Sequence, residues 1–108
     1  MREYYGSDIY LAAAETVAGV PVSYPGGALV LGSSGQAVRT IQEQLNAISD
    51  NYPAIPKVRV DGVFDEGTQN AVRVFQRIFD LEQSGIVDFA TWYQISNIYV
   101  AVEKLSEA

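Results

Sequence analysis

One seven-residue pattern occurs twice in this sequence, and it constrains the fold more than any other feature. Residues 62–68 and 85–91 both read glycine, two apolar residues, aspartate, two further residues and threonine, and they lie 23 residues apart. Glycine permits the positive φ of a tight turn, the apolar pair enters the core, and aspartate is favoured just before a helix. The repeat therefore predicts two helices that begin in the same way, after Asp65 and after Asp88.

Apolar residues at helical spacing predict three helices in all. The first follows Ser33 and Gln36, which form a capping-box pattern, and it ends near residues 50–53. Its inward stripe is Val38, Ile41, Leu45 and Ile48. The stripe of the second helix is Ala71, Val72, Val74, Phe75, Ile78 and Phe79. That of the third helix is Trp92, Ile95, Ile98, Tyr99, Val102 and Leu105.

These helices predict an all-α fold, a compact three-helix bundle with short extended segments before helices two and three. Residues 58–60 alternate in polarity like a short strand. The predicted core is Val38, Ile41, Leu45, Phe64, Val72, Phe75, Phe79, Val87, Trp92 and Ile95. An N-terminal helical or linker segment, residues 1–28, precedes the predicted domain at residues 29–108.

Composition excludes several classes of enzyme. The 108 residues contain no histidine and no cysteine, which rules out serine–histidine triads, cysteine–histidine peptidases and histidine-ligated zinc hydrolases within this chain. Paired carboxylates can hydrolyse glycosides, but Asp65 and Asp88 fit helix caps and Asp61 fits a turn. We therefore expect a chain that is not an enzyme and that needs no cofactor and no metal.

Charge and hydropathy limit the partners. Thirteen acidic against seven basic residues give a net charge of −6, which disfavours nucleic acid. The longest strongly apolar stretch, residues 9–14, is far shorter than the ~20 residues of a membrane helix, so no membrane insertion is expected. Residues 57–77 differ by carrying a net charge of +1, from Lys57, Arg59, Arg73 and Arg77 against Asp61, Asp65 and Glu66.

An ordered set of motifs between residues 29 and 102 resembles the peptidoglycan-binding domain of bacterial cell-wall hydrolases. The matching residues are LGSSG at 31–35, Val38, IQ at 41–42, LN at 45–46, VDGVF at 60–64, Thr68, AV at 71–72, FQ at 75–76, GIV at 85–87 and TW at 91–92. The sequence departs from the family where Asp65-Glu66 and Asp88-Phe89 replace its usual Gly-Pro. The resemblance implies a three-helix module that anchors a separate catalytic domain to peptidoglycan.

The resemblance also gives the repeated motifs a second interpretation besides helix capping. Main-chain N–H groups at the helix starts and the hydroxyls of Thr68 or Thr91 are candidate donors to stem-peptide carboxylates. Arg73 and Arg77, four residues apart, form either a solvated face or a bidentate carboxylate clamp. The candidate ligand-binding residues are Asp61, Gly62, Asp65, Thr68, Arg73, Arg77, Gly85, Thr91 and Trp92.

Three of the polar or aromatic positions have a structural interpretation as well. Gln42 and Gln76 match glutamines of the family and are expected to tie loop carbonyls to the bundle. Trp92 lies on the inward stripe of the third helix, so it either packs in the core or presents an indole edge to a sugar.

The predicted function is non-catalytic binding of cell-wall or spore-cortex peptidoglycan, both glycan strand and stem peptide. Such a module belongs outside the cell, in the cell wall or spore envelope, although residues 1–5 do not begin a signal peptide. A longer parent chain would then supply a catalytic domain or further repeats. The alternative is a protein–protein interaction module in envelope or spore-coat assembly.

The first twenty residues resemble the end of the predicted third helix. When the sequence is compared with itself at an offset of 89 positions, five of the nine residues 4–12 are identical to those at 93–101. This predicts that the N-terminal segment is the tail of a preceding copy of the same domain, followed by a Pro-Gly linker at residues 21–27. Tandem copies would gain avidity from their linkage.

Overall fold

The computed structural model describes residues 23–107, and within that range three helices make up the regular structure. Helix α1 spans Gln36–Ser49, α2 spans Glu66–Ile78 and α3 spans Phe89–Glu107. The all-α three-helix prediction is confirmed. The predicted origin of residues 1–20 as a preceding copy lies outside the described residues, and the domain boundary at residue 29 stays a prediction.

The core forms where the apolar stripes of the helices meet. The stripe of α1 is confirmed, since all four of its predicted residues are fully buried. The buried apolar residues of the described range are Leu29, Val38, Ile41, Leu45, Ile48, Ile55, Phe64, Ala71, Val72, Phe75, Val87, Trp92, Ile95 and Val102. Burial of this set is the main source of stability for a domain of this size.

One predicted core residue, Phe79, and one residue of the stripe predicted for the third helix, Leu105, differ in the structure. Phe79 is only partly buried, because it caps the C-terminus of α2 at the edge of the core, where its ring packs against Tyr52 and Phe75 at 5.0 Å and 4.7 Å between centroids. Leu105 is 65% exposed, so its predicted inward orientation is wrong. Leu105 follows Val102, the last buried apolar residue among the described side chains of α3, and so lies beyond the end of the core.

Two of the three predicted helix starts are confirmed. The Thr68 N–H donates to Asp65 Oδ1 at 2.9 Å, and the Thr91 N–H donates to Asp88 Oδ1 at 3.0 Å. The capping box of α1 is wrong, because α1 begins after Gly35 without a side-chain cap. Ser33 Oγ instead accepts the Val30 N–H at 2.9 Å and closes the turn that precedes the helix.

The prediction of a strand at residues 58–60 is also wrong, although the side chains there alternate between half-buried and exposed. Val58 and Val60 are half-buried and Arg59 is exposed. The amide of Asn46 on α1 takes the place of a strand partner. Its Nδ2 donates to the Val58 carbonyl and its Oδ1 accepts the Val58 N–H, both at 2.8 Å.

One segment, residues 29–34, which contains the turn between Val30 and Ser33, joins the turns before α2 and α3. We name these turns the α2 turn (residues 61–65) and the α3 turn (residues 84–88). Leu29 and Val87 exchange two main-chain hydrogen bonds of 3.0 Å. Phe64 donates to the Ser33 carbonyl and accepts the Gly32 N–H, both at 2.9 Å. The predicted extended segments before the two helices are therefore present as short pairings with a shared partner.

The chain leading into this segment also packs on the domain. The Tyr24 ring meets Phe89 and Trp92 edge-on, with centroids 5.4 Å and 6.1 Å apart. Within residues 23–107 no helix combines the length and apolarity that a membrane crossing requires.

Candidate functional site

The α2 turn is organised by one buried glutamine, Gln42 on α1. Its Nε2 donates to the Val63 carbonyl at 3.0 Å, to Thr68 Oγ1 at 3.0 Å and to Asp61 Oδ1 at 3.2 Å. Its Oε1 accepts the N–H groups of Gly62 at 2.8 Å and Asp61 at 3.1 Å. The expected role of this amide, tying the loop to the bundle, is confirmed.

The α3 turn repeats this arrangement around Gln76 on α2. The Gln76 Nε2 donates to the Ile86 carbonyl and to Thr91 Oγ1, both at 3.1 Å, and to Ser84 Oγ at 3.3 Å. Its Oε1 accepts the Gly85 N–H at 2.9 Å. Each helix thus holds the turn that begins the next helix with one side-chain amide.

A second internal repeat explains why the two turns are held alike. Residues 37–42 read AVRTIQ and residues 71–76 read AVRVFQ, 34 positions apart. The motif at the two turns predicted neither this helical repeat nor a role for the arginine within it, Arg39. Comparing the helices that precede the two turns would have found the signal.

The structure divides the predicted contact residues into buried and accessible sets. The buried members are Gly62, Thr68, Gly85, Thr91 and Trp92. Asp61 is half-buried, and the exposed members are Asp65, Arg73 and Arg77. Trp92 is 1% exposed and packs in the core, in accordance with the structural interpretation of that residue. Ligand contact by the nine residues stays a prediction.

In each turn, the two main-chain donors that follow the glycine are already engaged within the fold. In the α2 turn, the Val63 N–H donates to Asp61 Oδ1 at 3.0 Å and the Phe64 N–H to the Ser33 carbonyl. In the α3 turn, the Ile86 N–H donates to Ser84 Oγ at 3.1 Å and the Val87 N–H to the Leu29 carbonyl. Because Gln42 and Gln76 take the glycine N–H groups, a carboxylate ligand is left with side-chain donors and with the N–H groups at the starts of α2 and α3.

An arginine lies over the glycine of the α3 turn. A Cβ on Gly85 would stand 3.0 Å from Arg73 Nε and 3.3 Å from Arg73 Cγ, and its φ of +75° also favours glycine. At the α2 turn, a Cβ on Gly62 would stand 3.2 Å from the Gly35 carbonyl oxygen and 4.0 Å from Arg39 Cβ. Both glycines therefore allow the preceding helix to approach the turn closely.

The charges of the two turns differ. The pKa of Asp61 is lowered, mainly because its carboxylate accepts a hydrogen bond from the Val63 N–H. Desolvation raises the pKa, but the Gln42 amide and the positive charge of Arg59 lower it further. The α2 turn therefore carries a carboxylate that is ionised at neutral pH, where the α3 turn has the neutral Ser84. Lys57, a basic residue of the connection before the α2 turn, forms a salt bridge with Asp50.

Among residues 23–107, no group of three or more acidic side chains is placed to hold a metal ion. The chemistry that the accessible groups offer is recognition: guanidinium groups bind carboxylates in a planar, two-bond geometry.

Comparison with known families identifies the class of domain. Residues 34–95, more than half of the 108-residue chain, match the family described as "Putative peptidoglycan binding domain". The chain belongs to this family. The matched domain is a binding module, its partner is peptidoglycan, and its association is with the cell wall or spore envelope.

A solved structure supports the same assignment. The crystal structure of the SleB N-terminal domain superposes with a TM-score of 0.61 at 28% sequence identity, covering 71% of this chain and 99% of that one. A comparison with curated proteins gave no significant match. The fold, the family and the paired turns together indicate non-catalytic binding to the cell wall.

Proposed function

We propose that this chain holds a larger cell-wall or spore-cortex protein on peptidoglycan by binding carboxylates of the stem peptide. The parent protein would supply a catalytic domain or further repeats, would act outside the cell, and this chain would itself perform no catalysis. The family assignment supports the partner. The accessible arginines, beside a turn whose glycine and apolar residues have their N–H groups engaged within the fold, support the choice of chemical group.

Arg73 and Arg77 are the proposed contact residues. They lie four positions apart, so they share one face of α2, and both side chains are exposed. Arg73 also borders Gly85, which places its guanidinium at the α3 turn. Thr68, Thr91 and Trp92 are buried, and we give them the role of holding the turns and the core in shape.

The test is sedimentation with purified sacculi from which proteins have been stripped. Wild-type chain should pellet with the sacculi, and the double variant Arg73→Ala, Arg77→Ala should bind about tenfold more weakly with an unchanged thermal unfolding midpoint. Lys104→Ala, which removes one positive charge, is the control matched in charge to each of the single variants Arg73→Ala and Arg77→Ala. Lys104 lies 16 residues beyond Asp88 along α3, a distance of about 24 Å.

Three other outcomes would change the conclusion. Undiminished binding by the double variant would exclude the arginine clamp. Equal loss in the Lys104→Ala control would indicate nonspecific charge attraction. Retention of wild-type chain on crude envelopes but not on stripped sacculi would favour the alternative, a protein–protein interaction module.

A further inference from the structure

The helical repeat places a second arginine at the α2 turn. Arg39 occupies in α1 the position that Arg73 occupies in α2, three residues before the glutamine that organises the following turn. We propose that Arg39 is a second carboxylate-binding residue, so that the domain presents two equivalent contact positions for peptidoglycan stem peptides. This inference rests on the proposed function of Arg73 and extends it to a residue that the sequence analysis did not identify.

The geometry around Arg39 leaves its guanidinium accessible. The side chain is exposed, and its Nη1 lies 3.4 Å from the Val60 carbonyl oxygen, which is a long hydrogen bond. A guanidinium has five N–H donors, so this contact orients the group toward the α2 turn without using most of them. Arg39 is therefore anchored beside its turn, as Arg73 is beside Gly85.

One segment joins the two turns. Residues 29–34 hydrogen-bond to Phe64 in the α2 turn and to Val87 in the α3 turn. Next to these buried residues, Val63 and Ile86 occupy equivalent positions and are 47% and 37% exposed. Val30 and Leu31 of the joining segment are exposed as well, and these four apolar side chains are the proposed contact surface.

This surface fits a peptide that carries both alkyl groups and carboxylates. Exposed valine, leucine and isoleucine side chains offer apolar contact, and the flanking arginines offer charge complementarity to anionic groups. The occupant to which the inference commits is an acidic stem peptide, held by its carboxylate at either turn. Two such positions on one domain would let it engage two stem peptides of one wall fragment.

The two positions are not expected to bind equally. The Asp61 carboxylate adds negative charge to the α2 turn, and the corresponding residue of the α3 turn, Ser84, adds none. Like charge disfavours an anionic ligand. The α3 turn should therefore be the stronger position and the α2 turn the weaker one.

Single and double variants measure this directly on stripped sacculi. Arg73→Ala should weaken binding by about three- to tenfold and Arg39→Ala by about two- to fivefold. The double variant Arg39→Ala, Arg73→Ala should lose roughly the product of the two. Lys104→Ala should bind like wild type, and all variants should keep the wild-type thermal midpoint, which shows that the arginines act on binding.

The outcomes separate this inference from the proposed function. If Arg73→Ala weakens binding and Arg39→Ala does not, the second position is excluded and the proposed function stands. If neither variant loses affinity although wild type binds, the Arg73 contact of the proposed function is excluded together with the inference. A loss in Arg39→Ala that comes with a lowered thermal midpoint would assign Arg39 a structural role and overturn the inference.

A gain-of-binding variant tests the same point from the other side. Asp61→Ser gives the α2 turn the residue of the α3 turn, where Ser84 Oγ serves both neighbouring donors. It should raise affinity for sacculi about twofold, and the gain should disappear in the Arg39→Ala background. An equal gain with and without Arg39 would show that the α2 turn holds no contact position.

Discussion

The α2 turn and the α3 turn share their buried polar residues and differ in what surrounds them. In both, a glutamine of the preceding helix binds the turn, a glycine allows close approach, and a threonine and an aspartate start the next helix. The connections leading to them differ in length, at residues 50–60 and 79–83. The two turns thus share a set of buried hydrogen bonds, which are costly to lose. The connections that differ between them are mostly accessible to solvent.

The longer connection needs anchors that the shorter one lacks. Ile55 enters the core, and its carbonyl accepts the Ser49 hydroxyl at 2.6 Å. Asn46 holds Val58 by two hydrogen bonds. The shorter connection is closed by main-chain contacts, such as that from the Leu81 N–H to the Gln76 carbonyl at 2.7 Å. The two turns therefore reach the same geometry by different routes.

The largest expected difference between the turns concerns their core residues. Phe64 and Val87 are equivalent and both buried, but phenylalanine fills more volume. Phe64→Ala should lower the free energy of unfolding by about 3–5 kcal/mol, and Val87→Ala by about 2 kcal/mol. Chemical denaturation measures both values. Equal losses would mean that the α2 turn contributes no more to the core than the α3 turn.

The next effect is the loss of the organising amides. Gln42→Ala leaves buried donors and acceptors of the α2 turn without a partner and should cost about 3 kcal/mol, against about 2 kcal/mol for Gln76→Ala, which has fewer bonds to lose. The exposed Gln36→Ala is the control and should change stability by less than about 0.5 kcal/mol. A Gln42 variant as stable as this control would contradict the proposed organisation of the turn.

The smallest effect is a dependence on pH that only the α2 turn should show. The folded-state pKa of Asp61 lies below the ordinary 3.8, so its contribution to stability is present above that value and is lost as pH falls through the folded pKa. Thermal midpoints of wild type and Asp61→Ser should therefore differ at about pH 6 and converge in acid. A gap that widens in acid would show that the sign is wrong.

Sequence patterns predicted the helix starts at Asp65 and Asp88 and most of the core, because capping and apolar spacing are local properties. They gave the wrong cap for α1, since the Ser33 hydroxyl accepts the Val30 N–H in a competing local turn. They also predicted a strand where Asn46 supplies the hydrogen bonds to Val58. A local alternative decided the first case, and a partner 12 residues away decided the second.

For the candidate site too, part was predictable from the sequence and part depended on the fold. The motif at the two turns was visible in the sequence, but the burial of Thr68 and Thr91 and the engagement of the turn N–H groups depend on Gln42 and Gln76 from other helices. The sequence already indicated Arg73 and Arg77 as a clamp, and the folded chain adds that Arg73 is exposed and borders Gly85 of the α3 turn.

The most direct measurement is a titration of the isotopically labelled chain with soluble disaccharide-peptide fragments of peptidoglycan, followed by amide chemical shifts. The central claim is that peptidoglycan binds the surface formed by the two turns and their arginines. The largest shift changes should therefore fall at Val63, Ile86 and Arg73, with smaller ones at Arg39. Changes centred on Tyr52 or Leu105, with both turns unaffected, would contradict it.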